Sequence, residues 1–400
     1  MYLHREIEPV LLKAVKQFRI VSLSGPRQSG KSTLLKRLFT PSYEFVSFDD
    51  PLLREQAIRD PNLFLDSHTE RLILDEIQYV PQLLPYLKMR VDQSPKRKGR
   101  YLLTGSQQFH LMRDLTETLA GRVGLFNLLP FSIEELKAVR RLRKRFADSL
   151  EVFLYSALRG SYPEPTVYPN IKPSSWYASY VQTYLDRDVR GLHNVGRLRD
   201  FERFLRLAAG RCSQILNMST FAGDIGVSVP TIRHWISILE ASGMIYLLSP
   251  YYQNWGKRIT KSPKLYFLDV GLVCYLTGMT SKDHLLQGPM AGALFENYCV
   301  QEIIKRFLAR GKEPRLYYLR THNQFEIDLL IDKDIDGMIP VEIKLTKTPS
   351  RQMAVVFERT NHLFPKLKFQ QGVLLCLVPQ PIKLARFITA TSLDKMDGLV

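Results

Sequence analysis

The sequence predicts an α/β protein: a parallel-sheet core at the amino-terminal end, helical segments in the middle, and a second, smaller α/β domain at the carboxy-terminal end. Three observations carry this. Residues 25–32 read Gly-Pro-Arg-Gln-Ser-Gly-Lys-Ser, a full G-x-x-x-x-G-K-[ST] loop set between an apolar run, Phe18 to Leu23, and a helical stretch, Thr33 to Phe39. Four further apolar runs, Tyr43 to Phe48, Arg71 to Leu74, Arg100 to Leu103 and Leu125 to Leu129, alternate with helical stretches. Near the carboxy-terminal end a helical stretch, Ala291 to Leu308, precedes three strand-like runs, Arg315 to Arg320, Phe325 to Ile331 and Met338 to Leu345. Alternating strands and helices imply a parallel sheet whose chemistry sits at the strands' carboxyl ends.

The loop has a definite chemistry. Gly25 and Gly30 let the backbone turn tightly enough for successive N–H groups to point inward at phosphate oxygens, in front of a helix N-terminus. Lys31 is expected to reach the β- and γ-phosphates and Ser32 to ligate Mg²⁺. Gly25, Pro26, Arg27, Gln28, Ser29, Gly30, Lys31, Ser32 and Thr33 are together expected to line a nucleoside triphosphate, a Walker A element.

The run Arg71-Leu-Ile-Leu ends in Asp75-Glu76, in the manner of a Walker B element. Asp75 is expected to hold Mg²⁺ through its water shell and Glu76 to orient the attacking water, which argues for hydrolysis over simple binding. The next strand ends Leu102-Leu103-Thr104-Gly105-Ser106, where Ser106, with Thr104 second, is the expected sensor of the γ-phosphate. Arg122 precedes the last strand of this core and is expected to act as an arginine finger toward a neighbouring subunit.

Composition narrows the class. Among 400 residues, 56 Lys and Arg face 39 Asp and Glu, and the formal charge of +17 favours an anionic partner, nucleic acid first, with DNA preferred, and a membrane surface second. Lys96-Arg97-Lys98 with Arg100, and the basic run at 140–145, are the densest segments. No stretch of eighteen apolar residues exists and no secretory signal is legible, so a cytoplasmic protein without membrane insertion is expected. The four cysteines, Cys212, Cys274, Cys299 and Cys376, lie far apart and read as buried thiols.

Residues 176–209 read as helices forming a lid. Beyond them, a short helix (about Thr220 to Ile225) breaks at Gly226, and a second begins at Val229-Pro230 with Ile232, Ile236 and Leu239 inward at helical spacing. This is a helix-turn-helix pattern, followed by a strand at Met244 to Leu248 and a wing carrying Lys257, Arg258, Lys261 and Lys264. In a winged helix that binds DNA, Thr231, Arg233, His234 and Ser237 would face the groove; the same fold can also serve only to join domains.

In the carboxy-terminal segment Glu326 and Asp328 share one face of a strand, as do Glu342 and Lys344 on the next. With Glu296 on the preceding helix, this is a grouping suited to phosphodiester cleavage. Asp328, Glu342 and Glu296 would ligate Mg²⁺, and Lys344 would hold or activate the water on it.

Over nearly its whole length the chain resembles a family of bacterial and archaeal ATPases that join an AAA+-like module to a conserved carboxy-terminal domain. The matching segments are GPRQSGKST, LILDEIQ, LLTGSQQF, LAGR followed by LLPFS, GSYPEP at 160–165, YVQTYLDRDV at 180–189, and the terminal EID and VEIK. The resemblance implies ATP binding with Mg²⁺ and carries the roles of Lys31, Ser32, Asp75 and Glu76 directly. The D…ExK order resembles the PD-(D/E)xK nuclease superfamily and implies a restriction-endonuclease-like fold, although Ile327 stands where that motif usually has Pro.

The expected organisation is an AAA+-like P-loop ATPase domain at 1–135, a helical lid at 136–209, a winged helix at 210–280 and a nuclease-like domain at 285–400. The expected activity is ATP hydrolysis coupled to the winged-helix and nuclease-like modules on nucleic acid, with homo-oligomers and a Mg²⁺-dependent nuclease in view. The alternative is an ATP-switched oligomeric scaffold that grips a protein partner with an inactive nuclease-like domain.

Overall fold

The protein is seen in a computed structural model that describes residues 2–106, 117–138, 148–184, 198–251, 262–321, 325–333, 337–364, 367, 369 and 371–396. The basic run at 140–145, the wing residues Lys257, Arg258 and Lys261, and the side chain of Ser106 lie outside the described residues. Two compact units emerge: residues 1–131 with 237–244 and 307–312, and residues 132–236 with 245–306 and 313–400.

The first unit is built on β1 (Ile20–Gly25), β2 (Glu44–Ser47), β3 (Leu72–Asp75), β4 (Tyr101–Ser106) and β5 (Val123–Asn127), all parallel, in the order β2-β3-β4-β1-β5. The expected strands and their parallel pairing are present. Alternation explains how the sheet is buried on both faces. Leu72, Leu74, Tyr101 and Leu103 pack into one apolar layer with Phe48, Leu83 and Leu87. Ile73, Leu102, Val21 and Leu23 pack into the opposite layer with Leu11, Leu34 and Leu35. Gly25, Ser47, Asp75 and Ser106 are the last residues of four of these strands, so one edge collects the polar groups.

Farther along the chain, helices Met218–Ile225 and Val229–Ala241 flank Gly226, whose φ of 84° closes the first helix in the left-handed region. Ile232 and Ile236 are buried as the spacing predicts. β6 (Ile245–Leu248) and β7 (Lys264–Phe267) form an antiparallel pair. The expectation for Lys264 is corrected here: the residue is 3% exposed, so it is no phosphate contact on an open wing.

The helix Ala291–Ala309 precedes a six-stranded mixed sheet of β8 (Leu316–Arg320), β9 (Glu326–Asp332), β10 (Met338–Ile343), β11 (Gly372–Leu375), β12 (Ile382–Ala385) and β13 (Ile388–Thr391). Its order is β12-β13-β11-β10-β9-β8, antiparallel in β8-β9-β10, parallel in β10-β11-β13 and antiparallel again to β12. Buried Asp269 ties the segment around Ser161 to this unit. It accepts from the Ser161 N–H at 2.9 Å, the Ser161 hydroxyl at 2.6 Å, the Leu272 N–H at 2.8 Å and the Tyr177 hydroxyl. Gly160 is required there: φ is 78° and a Cβ would run into the Tyr177 hydroxyl. All four cysteines are buried and free. Among the described residues no helix is long and apolar enough to cross a membrane.

Candidate phosphate site and carboxylate cluster

The loop after β1 turns through positive φ at Gly25 (148°), Gln28 (59°) and Gly30 (94°), and Gly30 caps the helix Lys31–Phe39. A side chain at Gly25 would strike the Leu128 carbonyl, so glycine there is a packing requirement as well as a conformational one. A tight loop opening directly into a helix N-terminus is the arrangement that suits an anion. Lys31, 6% exposed, donates to the carbonyls of Gly25 and Pro26, both at 3.0 Å, which folds its ammonium over the loop.

The two elements separated in sequence meet here. The Ser32 hydroxyl donates to Asp75 Oδ1 at 2.6 Å, so two hard oxygen donors stand side by side at the mouth of the loop. That pair suits Mg²⁺, which takes oxygen ligands in octahedral geometry and keeps several waters. Asp75 also accepts from Ser47 at 3.3 Å and from the Thr104 hydroxyl. The Glu76 N–H donates to Thr104 Oγ1 at 3.3 Å. Glu76 itself adopts a left-handed backbone (φ 56°, ψ 45°), and Gln78 donates to its carboxylate. A non-glycine residue held there is strained, a condition concentrated at functional sites.

Thr104 thus adds a third hydroxyl on Asp75, beside those of Ser32 and Ser47. Three contributors went unread in the sequence: Ser47, Gln78 and Arg5. The Arg5 guanidinium is buried, donating to the Ser29 carbonyl of the loop at 2.9 Å and to the Leu129 carbonyl at 2.6 Å, and it lies over the Phe131 ring. Nothing in the residues before the first helix signals this link; only the fold brings them to the loop.

Arg122 stands elsewhere. It precedes β5, whose Val123 pairs with Ile20 at the start of β1, so the length of β1, roughly 17 Å, separates it from Gly25. Its guanidinium grips Asp92 at 2.7 and 2.8 Å. The structure does not bring Arg122 into the phosphate site of its own chain.

The second grouping lies wholly in the second unit. Lys264 Nζ sits 3.1 Å from Glu296 Oε1, 2.5 Å from Glu326 Oε1 and 4.0 Å from Asp328 Oδ1. The Tyr266 hydroxyl donates to Glu296 at 2.6 Å. Lys344 Nζ lies 2.9 Å from Glu342 Oε2 and 3.5 Å from Asp328 Oδ2. Asp328 Oδ2 also accepts from the Ile343 N–H at 2.9 Å, while Arg320 reaches Glu326 at 3.2 Å. Burial, with the neighbouring Asp328 charge, raises Glu296 and Glu342 to about 7. Burial opposes the Lys264 charge, yet Glu296, Asp328 and Glu326 outweigh it and lift its pKa above the ordinary lysine value.

Glu296, Asp328, Glu342 and Lys344 do converge, joined by Glu326 and by an unforeseen Lys264. Their fit to a metal is poor as they stand: each of the three expected ligands is turned to an ammonium or a backbone N–H. Among the described residues no group of three or more His, Cys, Asp or Glu side chains is arranged to hold a metal ion. The expected groove residues are spread out: Arg233 and Ser237 are exposed, while Thr231 and His234 are half-buried.

Comparison with known proteins gives the following similarities. An AAA domain matches residues 17–137, and two domains of unknown function, DUF8612 and DUF4143, match residues 150–283 and 291–396. Uncharacterized proteins of Mycobacterium tuberculosis and Mycobacterium bovis are each 31% identical over 350 residues, 86% of this chain and 75% of theirs. Among solved structures, a Walker-type ATPase of Pyrococcus abyssi is similar at 17% identity and a TM-score of 0.42, covering 68% of this chain and 94% of its own. RuvB of Thermotoga maritima follows at 17% identity and 0.29, over 60% of this chain and 86% of its own. At these scores neither structural likeness bears on function.

Proposed function

The chain belongs to the family of the two mycobacterial proteins and carries a P-loop ATPase-like AAA domain, and from that premise we propose that it binds ATP with Mg²⁺, hydrolyses it, and works on nucleic acid. The observation that carries the reading is the meeting of Ser32 with Asp75 at the mouth of the Gly25–Lys31 loop.

Each residue then has a task. The loop N–H groups and the ammonium of Lys31 hold the β- and γ-phosphates, Lys31 leaving the Gly25 and Pro26 carbonyls to do so. Ser32 and Asp75 are the groups that would hold Mg²⁺, which would supply positive charge to offset that of the phosphates. Glu76 orients a water and draws off its proton, and Thr104 fixes Asp75 and the backbone of Glu76 in register. Ser47 and Gln78 act on the carboxylates of Asp75 and Glu76.

For the partner, the support is electrostatic. Arg19, Arg71, Arg100 and Arg122 each precede a strand of one sheet, and backbone hydrogen bonds set them in a row. Leu72 N–H donates to Arg100 O, Arg100 N–H to Arg19 O, and Ile20 N–H to Arg122 O. Neighbouring strands lie about 4.8 Å apart, so the row spans roughly 14 Å. Exposed Lys96, Arg97 and Lys98 extend it. Asp92 and Glu70 neutralise part of this edge, yet cations outnumber acids there, as in the chain at large. A phosphate backbone fits such an edge, which faces away from the ATP loop. The paired helices with β6 and β7 are read as a winged helix, and the mixed sheet with its Asp328 and Glu342-x-Lys344 order as a nuclease-like fold in contact with DNA.

ATP turnover stimulated by duplex DNA, and lost in Lys31→Ala, is the expected result. Turnover that ignores every nucleic acid would instead favour a scaffold in which ATP controls assembly, and gel filtration with and without ATP would then show a change of mass without DNA retention.

A further inference from the structure

We infer that the ammonium of Lys264 takes the place of a metal ion in the carboxylate cluster of the second unit, so that Glu296, Glu326, Asp328 and Glu342 form a closed ion-pair network and hold no divalent cation. This goes beyond the ATPase reading and stands independently of it.

Position is the first argument. Lys264 Nζ lies within 4.0 Å of carboxylate oxygens from three separate residues on two elements, Glu296 on the helix and Glu326 and Asp328 on β9. A divalent ion bridging these groups would occupy that same space. The ammonium cannot easily leave it: the backbone of β7 is held on one side by β6, where Lys264 pairs with Leu248, and on the other by an antiparallel bridge to Ile215. Leu216 N–H donates to Pro263 O and Ser213 N–H to Leu265 O, which fixes the residues on either side of it.

Charge is the second. The four carboxylates face Lys264, Lys344 and Arg320, so one negative charge at most is left over. A divalent cation gains little from a cluster already so nearly neutral, and Mg²⁺ would have to shed tightly held waters to enter. Removing one partner of a buried ion pair strands the other. Lys264 is 3% exposed, so its removal would leave carboxylates in want of a cation.

That asymmetry supplies the test. Mn²⁺ binding is measured by electron paramagnetic resonance on nucleotide-free full-length protein, together with thermal melting with and without Mn²⁺. Wild type and Asp328→Asn should bind the same amount of Mn²⁺, because any ion at the amino-terminal loop is common to both. Lys264→Met should melt lower, gain one Mn²⁺ per chain and be restored by it, and Lys264→Met with Asp328→Asn should lose that gain. A Mn²⁺ ion in wild type that disappears in Asp328→Asn overturns the inference, and this arm needs no Lys264 variant to fold. Folded Lys264→Met that gains no ion overturns it as well.

Discussion

The Ser32 hydroxyl donates to Asp75 Oδ1 at 2.6 Å, joining the residue that closes the phosphate loop to the last residue of β3, forty-three positions later. Both are hard oxygen donors of the kind Mg²⁺ takes. Ser32→Ala should therefore lower Mg²⁺-dependent ATP turnover on the order of 10²-fold, the loss expected when a metal ligand is removed. Ser32→Thr should recover most of it. Steady-state phosphate release over a Mg²⁺ series measures both, and equal turnover in all three proteins would refute the assignment.

Arg5 holds the loop from behind. Its two buried bonds, to the Ser29 and Leu129 carbonyls, are charge-assisted, and their loss in Arg5→Ala should cost about 3 kcal/mol of stability. Nucleotide affinity should fall roughly tenfold as the loop loosens. Arg5→Lys cannot reproduce the fork and should fall between the two. Calorimetric titration and denaturant melts separate binding from folding.

The row beginning at Arg71 and extended by Lys96, Arg97 and Lys98 should govern DNA affinity through charge alone. Reversing Lys96, Arg97 and Lys98 to Glu should weaken duplex binding regardless of sequence and flatten the salt dependence by about 3 in the log–log slope. ATP turnover without DNA should be unchanged, since these residues lie at the opposite edge of the sheet from Gly25. Fluorescence anisotropy at several salt concentrations provides the measurement.

The pH dependence of the second unit follows from Glu296 and Glu342, which burial and the Asp328 charge raise to about 7. An unfolded glutamate titrates near 4.5, so between those values the native state holds protons that the unfolded chain has lost. Stability from this source is complete below the lower value and is lost as pH rises through the higher one. The melting temperature of nucleotide-free protein should decline from pH 5 to pH 7.5, and Glu296→Gln should reduce that decline. A melting temperature equally steep in Glu296→Gln would count against the cluster as its origin.

Much of the molecule was legible because its signals are local. The glycines at 25 and 30, the apolar runs, and the single-face placement of Glu326 with Asp328 and Glu342 with Lys344 all follow from backbone freedom and strand periodicity, and the elements formed where those rules placed them. Helix-turn-helix spacing likewise located the Met218–Ile225 and Val229–Ala241 helices. Lys264 was misread for an equally physical reason: a lysine at the foot of a hairpin looks solvent-bound until the acids that surround it are known to be there. Its partners lie between thirty-two and sixty-four residues away, beyond any periodicity.

The sequence by itself determined that a phosphate loop would form and that a carboxylate would follow a buried strand, since turn geometry and alternation act over a few residues. Only the tertiary structure decided that Thr104 would reach Asp75, that Arg5 would brace the loop, that Arg122 would end on the far edge of the sheet, and that an ammonium would sit among the carboxylates. Those outcomes depend on which strands become neighbours and in what register, and the burial of apolar faces selects that arrangement over the whole unit at once.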